Sequence, residues 1–231
     1  MTSVLNTTSN MFAQVRKNKK IEIESRIGKI IDGKFVNGVE QEFFEEVYNE
    51  VKNCPDIVSD DKWSEQMDVF FKYNKNSYRT RVTYPNTSMM INTKTIKKTK
   101  LETYDVETDN EYQFRISSSL EDDVDSSTIP TLVNPYFVRL KHISHHYLNN
   151  NDWCITFTKT WGANSRTEVE QKQHNEIPCY EIECEFIGCN GTYLQEKTDV
   201  YAAESFLMKT LDVIGFPDMK YWINDKKNKQ S

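Results

Sequence analysis

Residues 21–28 read I-E-I-E-S-R-I-G, and residues 180–186, far downstream, read Y-E-I-E-C-E-F. In the first stretch Ile21, Ile23 and Ser25 alternate with Glu22, Glu24 and Arg26. In the second, Glu181, Glu183 and Glu185 alternate with Ile182 and Cys184. Period-two alternation predicts β-strands with one apolar and one charged face. Neighbours on one strand face lie roughly 6.5–7 Å apart. At that spacing two carboxylates either converge on a hard cation or repel each other. Taken alone, residues 21–28 form an ordinary strand with water around both glutamates; the repeat downstream is what makes the pattern informative.

The strands between these two carry mostly the opposite charge. Arg79 and Arg81 share a face in Y-R-T-R-V-T. Arg115, Ser117 and Glu121 share one in Y-Q-F-R-I-S-S-S-L-E. Arg139 and Lys141 share one in F-V-R-L-K-H-I-S, and Thr156 and Thr158 do so in W-C-I-T-F-T-K-T-W. Each strand singly is a wet outer face. Together they are sorted by sign, with carboxylates in rows on the terminal strands and Arg and Lys in the middle. Like charges gathered in this way destabilise a fold until a ligand neutralises them. A barrel with a polar interior would hold such a site in its lumen, with apolar residues facing outward under helices. A metal-bound triphosphate suits both walls: Arg grips phosphate oxygens with a fork of donors, and Mg²⁺ or Mn²⁺ takes carboxylate, water and phosphate oxygens.

The remaining signals agree with a mainly β chain carrying some helix. The turn Asp32-Gly33 leads into a short strand at 34–37. Residues 41–54 place Phe43, Phe44, Val47 and Val51 at helical spacing ahead of Pro55. Strands follow at 66–73, 77–84, 88–101, 111–121, 136–147, 153–161 and 180–187, with residues 162–178 read as a polar loop. A helix at 198–214 ends at Gly215. Residues 1–19, rich in Ser, Thr, Asn and Lys, read as a flexible arm, and 223–231, with Lys226, Lys227 and Lys229, as a basic tail. A single domain at 20–222 is expected between them, with no internal repeat. This is an α+β reading: a closed antiparallel β-barrel with helices packed outside.

Composition narrows the class. The chain has 231 residues, net charge −6 and 37 % hydrophobic residues, so any polyanion must bind a local basic cluster. No apolar run reaches membrane-spanning length, and a soluble intracellular protein is expected, in the nucleus, the cytoplasm or a viral factory. Five cysteines without a C-x-x-C pair read as reduced thiols. His142, His145 and His146 read as surface or hairpin packing, and Trp153, Phe157 and Trp161 as an outer core. Glu42, Glu45, Glu46 and Glu50 read as a solvated helix face.

The two glutamate-rich stretches and Y-Q-F-R-I-S-S-S-L-E between them, in this order, resemble the triphosphate tunnel metalloenzymes. The RNA 5′-triphosphatase branch, the mRNA capping enzyme β-subunit of fungal, protist and viral type, is the nearest in motif. The resemblance spans residues 20–187. It implies an eight-stranded antiparallel tunnel that hydrolyses the γ-phosphate of triphosphate-ended RNA. Metal ligands would be Glu22, Glu24 and Glu185, binding Mg²⁺ or Mn²⁺. Glu181 and Glu183 would stand beside them as catalytic residues with Glu121, and Glu121 or Glu183 would orient the attacking water. Arg79, Arg81, Lys98, Arg115, Arg139 and Lys141 would hold phosphate, with Lys97 and Lys100 competing for the role of Lys98. Expected partners are triphosphate-ended RNA, nucleoside triphosphates or tripolyphosphate, a guanylyltransferase and a second copy of the chain, with no membrane. Two departures stand out: Cys154, Thr156 and Thr158 replace the family's Arg-x-Asp-x-Thr, removing a wall ion pair, and Phe137 or Ile143 fills the third basic place beside Arg139 and Lys141. The alternatives are a tunnel phosphohydrolase for tripolyphosphate or nucleotides, and a non-catalytic ligand-binding barrel.

Overall fold

Strand β1 (Ile21–Ile31) pairs along one edge with β7 (Gln113–Asp123) and along the other with β10 (Cys179–Phe186). That double pairing closes a barrel. In a computed structural model describing residues 2–59, 62–84, 91–125, 127, 134–148 and 151–215, the remaining strands are β4 (Ser64–Tyr73), β5 (Asn76–Tyr84), β6 (Asn92–Val106), β8 (Phe137–Leu148) and β9 (Trp153–Ala163). They run antiparallel around the wall in the order β1-β7-β6-β5-β4-β8-β9-β10 and back to β1. The result is a closed eight-stranded antiparallel barrel. Two short strands, β2 (Lys34–Asn37) and β3 (Ile57–Ser59), extend the sheet beside β1 and β8. The basic tail at 223–231 lies outside the described residues.

The turns follow their local chemistry. Asp32 and Gly33 both adopt positive φ (51° and 71°), as a two-residue hairpin of this hand requires. Asn74 and Lys75 do the same between β4 and β5 (47° and 63°). Gly28 is needed because the Val36 carbonyl of β2 would stand 2.1 Å from a Cβ there.

The barrel is apolar outside and polar inside. Ile23, Ile27, Ile116, Trp153, Ile155, Phe157, Ile182 and Phe186 point outward into one large core beneath the helices. Helix α2 (Gln41–Asn53) buries Phe44, Val47 and Val51 there, and α5 (Asp199–Ile214) buries Ala202, Ala203 and Phe206. Thr198 caps α5 by accepting from the Tyr201 amide. Ser25, on the outer face of β1, hydrogen-bonds Thr210 of α5 at 2.8 Å, so the back of the first glutamate strand is tied to a helix. Trp153 and Phe157 belong to this core as expected, while Trp161 joins a smaller cluster with Met67, Leu140 and Val169.

Two segments differ from expectation. The arm predicted at 1–19 is instead helix α1 (Thr2–Lys17), which buries Val4, Met11, Phe12 and Val15. Phe12 packs edge-on against Phe186 (5.2 Å between centroids) and Phe206 (6.0 Å). Its Ser/Thr/Asn-rich sequence has poor intrinsic helicity, and tertiary packing supplies what propensity lacks. Phe12→Ala is expected to destabilise the protein by about 3–5 kcal/mol in denaturant unfolding, the range for emptying a buried aromatic site. A mobile arm would show no change. The loop predicted at 162–178 contains helix α3 (Arg166–Asn175), capped by Ser165 and anchored by Val169. Helix α4 (Tyr193–Glu196) completes the set.

Candidate active site

Register fixes which side chains meet inside the barrel. β1 aligns Glu24 with Glu185 and Arg26 with Glu183 across the closing seam. On the other edge of β1, Glu22 lies opposite Ser119 and Glu24 opposite Ser117. Glu121 faces Lys98 of β6. Further round, Asp68 of β4 stands between Arg81 of β5 and Arg139 of β8. The alternation read from sequence therefore places carboxylates on one wall and guanidinium groups on the other.

On the acidic wall Arg26 bridges β1 to β10, 2.8 Å from Glu183 and 2.9 Å from Glu24. Lys98 Nζ lies 2.5 Å from Glu22, 3.4 Å from Glu121 and 3.8 Å from Glu24. Of the three lysines, Lys98 is the one at this carboxylate cluster: Lys97 aligns with Asp122, and Lys100 is exposed. Burial, reinforced by Glu22, Glu24 and Glu183, pushes Glu185 well above the usual carboxylate range. Burial likewise raises Glu24, with Glu183 and Glu22 adding and Arg26 and Lys98 opposing. Glu183 is also buried, but Arg26, Lys141, Arg139 and Lys98 outweigh that and hold it low. Glu121 is lowered against its own burial by Lys98 and Arg79.

The basic wall is built on Asp68, which is fully buried. Arg81 reaches it through two hydrogen bonds (2.8 and 3.2 Å), Arg139 through one at 3.2 Å, and Arg79 stands 3.9 Å away. Burial opposes ionisation of Asp68, yet the Arg81 hydrogen bonds and the three arginine charges keep it below its ordinary range. Arg79 also reaches Glu121 at 3.2 Å. Among the described residues, the Nε atoms of Arg79 and Arg139 and the Thr158 hydroxyl are buried without a hydrogen-bond partner. Buried donors of this kind are costly unless an acceptor reaches them. The sequence reading missed Asp68, although it shares strand parity with Ser64 and Gln66.

Lys141 completes this wall. Burial and then Arg139 lower its ammonium to about 8, against the pull of Glu183, Glu181 and Asp68. An alkaline limb in kcat/KM, which reports the free enzyme, is expected near pH 8 as this charge is lost. Lys141→Arg, always protonated, should carry the limb more than one unit higher, and coincident profiles would remove Lys141 from phosphate binding. For stability the sign is opposite. The unfolded chain binds more protons than the folded one between about 8 and the ordinary lysine value, so stability rises with pH across that window.

Not every expected residue joins. Arg115 lies 2.6 Å from Asp105, stacks over Phe35 and does not join Arg79, Arg81 and Arg139 around Asp68. Glu181 is buried with its oxygens held by Asn37 (2.7 Å) and Thr160 (3.1 Å). His142 and His146 face outward, bonded to Glu65 and Ser59. His145 packs within the β8–β9 hairpin as expected, 3.1 Å from its cross-strand partner Thr156, 3.8 Å from the Cys154 thiol and stacked beside Tyr147. Phe137, not Ile143, adjoins the end of the arginine row, aligned with Phe70.

No protein-family model and no curated protein matches the chain. Among solved structures, it is similar to the RNA triphosphatase of S. pombe, with TM-score 0.65 and 14 % identity over 91 % of each chain. It is similar to the triphosphatase of the Mimivirus capping enzyme, with TM-score 0.59 and 14 % identity over 91 % of this chain and 96 % of that one. A chain of the S. pombe Mediator head module also shares the fold, with TM-score 0.52 and 11 % identity over 84 % of this chain and 94 % of that one. At such identities the likeness establishes the tunnel fold.

Proposed function

We propose that this tunnel is a metal-dependent RNA 5′-triphosphatase, removing the γ-phosphate of triphosphate-ended RNA to leave a diphosphate end. The observation that carries the reading is the opposition, within one lumen, of the Glu22, Glu24 and Glu185 carboxylates to Arg79, Arg81, Arg139 and Lys141. The shared fold with a chain of the Mediator head module means that architecture alone does not decide for catalysis, and the charged lumen is what supports the reading.

Among the described residues no three acidic, histidine or cysteine side chains are gathered into a ready-made metal centre, yet the donor chemistry of this wall suits a hard cation. Burial, with neighbouring carboxylates adding to it, raises Glu24 and Glu185, and a cation beside them would offset that cost. Glu22, Glu24 and Glu185 would hold Mg²⁺ or Mn²⁺, which would supply Lewis-acid polarisation of the γ-phosphate. Lys141 and the unpartnered donors of Arg79 and Arg139 would take phosphate oxygens and stabilise charge developing on the leaving diphosphate. Glu121, kept ionised by Lys98 and Arg79, accepts a hydrogen bond from the attacking water and sets its line. As the water oxygen joins phosphorus, the bond to the β-phosphate oxygen breaks and the diphosphate end departs. A guanylyltransferase is the partner class that would use such an end.

The test is phosphate release from triphosphate-ended RNA with Mg²⁺ or Mn²⁺, against a chelator control. Metal-dependent release of one phosphate per end supports the reading, and its absence with both metals overturns it. Release from tripolyphosphate but not RNA would favour a tunnel phosphohydrolase of inorganic polyphosphate.

A further inference from the structure

One group of aromatic side chains has no place in the fold's cores. Phe70 of β4, Phe137 of β8 and Tyr136 just before β8 belong to neither hydrophobic cluster. Phe70 shares the inward face of β4 with Asp68, and register aligns it with Arg79 on one side and Phe137 on the other. It therefore stands where the arginine row ends. The Arg139 guanidinium lies 5.5 Å over the Phe70 ring. Phe70 and Phe137 meet at a centroid distance of 5.8 Å, and Tyr136 approaches Phe70 at 6.5 Å. Gly162 makes room for this: a Cβ there would come within 2.6 Å of the Phe137 ring.

The outermost ring is held in place as well. The Tyr136 amide bonds the Phe70 carbonyl at 3.0 Å, its hydroxyl lies 3.0 Å from Ser77, and Lys72 Nζ sits 5.5 Å over its face. Tyr136 is nonetheless 47 % exposed, and Phe70 and Phe137 are half-buried. Three rings that keep part of their surface accessible, with Arg139 over one side of Phe70 and Lys72 over one side of Tyr136, make a surface suited to a flat heterocycle carried on a polyanion. Aromatic faces stack any nucleobase with little regard to sequence. Tripolyphosphate has nothing to place there.

We propose that Phe70, Phe137 and Tyr136 form a shelf that stacks the first nucleobase of a 5′-triphosphate-ended RNA, giving the tunnel its preference for nucleotide over inorganic tripolyphosphate. This rests on the reading of the lumen as a triphosphate site. The shelf acts in ground-state binding of the nucleoside and makes no bond to the reacting phosphate, so its loss falls on KM.

Phe70→Leu and Tyr136→Leu keep an apolar side chain and remove the π face. Calorimetric titration, with Ca²⁺ in place of the catalytic metal, would compare a triphosphate-ended trinucleotide with inorganic tripolyphosphate on wild type and on each variant. The expected result is a loss of about tenfold or more in trinucleotide affinity relative to tripolyphosphate, the scale of base stacking on an aromatic side chain. In turnover the same change should appear in KM for RNA. Equal losses for both ligands, or an unchanged affinity ratio, would overturn the shelf. If wild type releases no phosphate from either substrate, the hydrolase reading fails, and the affinity ratio still decides the shelf.

Discussion

Glu185→Gln is expected to abolish metal-dependent phosphate release while making the metal-free protein more stable. The two effects share one cause. Glu185 sits opposite Glu24 across the closing seam, and burial together with Glu22, Glu24 and Glu183 raises it well above the ordinary range. An acid whose folded pKa exceeds its unfolded value binds more protons when folded, so stability falls as pH climbs from the unfolded value through the folded one. At neutral pH, with chelator present, that repulsion is a cost which the isosteric amide removes. Thermal unfolding should show a higher Tm for the variant, at ~2–4 °C for each kcal/mol relieved in a chain of this size. The metal-induced rise in Tm expected for wild type should shrink or vanish in the variant. Phosphate release should drop by about a thousandfold, the upper scale for removing one preorganised charge-stabilising group. A variant that keeps near wild-type turnover with metal would take Glu185 out of the site.

Asp68→Ala is expected to have the opposite effect on the fold. The buried carboxylate accepts from Arg81 and Arg139 and lies near Arg79, and its removal leaves guanidinium groups crowded without a counter-charge. Breaking a buried ion pair from one side typically costs about 3–5 kcal/mol. Tripolyphosphate should restore part of that loss by bringing its own negative charge, so the ligand-induced rise in Tm should be larger for the variant than for wild type. Turnover should weaken mainly through KM, because the forks are no longer aimed before the substrate arrives. A variant with unchanged stability would show that the arginines do not depend on Asp68.

The legibility of these two walls from sequence was uneven, for physical reasons. Glu22, Glu24, Glu183 and Glu185 stand out because alternation across a strand is local, and a row of like charges is rare enough to notice. Arg79, Arg81, Arg139 and Lys141 follow by the same parity. Asp68 escaped because one acid among Met67, Val69, Phe70 and Phe71 reads as a break in an apolar strand, and its meaning depends on partners from two other strands. Lys98 could not be separated from Lys97 and Lys100 because a register shift between Lys100 and Glu102 interrupts the parity. Helix α3 has one buried residue, Val169, so no apolar period marked it. Helix α1 lacks helical propensity and exists through what Phe12 packs against. Arg115 had the right parity but the wrong height on its strand, where Asp105 takes it up.

The seam between β1 and β10 also says something about how the molecule is made. Strand β1 leaves the ribosome first among the barrel strands and β10 last, so closure waits until every other barrel strand has been synthesised. Contacts so distant in sequence slow folding, because loop-closure entropy is spent before they form. During that wait the middle strands already carry their arginines, while the second row of glutamates has yet to arrive. A nascent chain paused before β10 is thus an open sheet with an unpaired edge and unneutralised arginines on its middle strands, vulnerable to aggregation. Arrival of Glu183 beside Arg26 fastens the last seam and assembles the carboxylate cluster in a single step, so the cluster exists only once the barrel is closed.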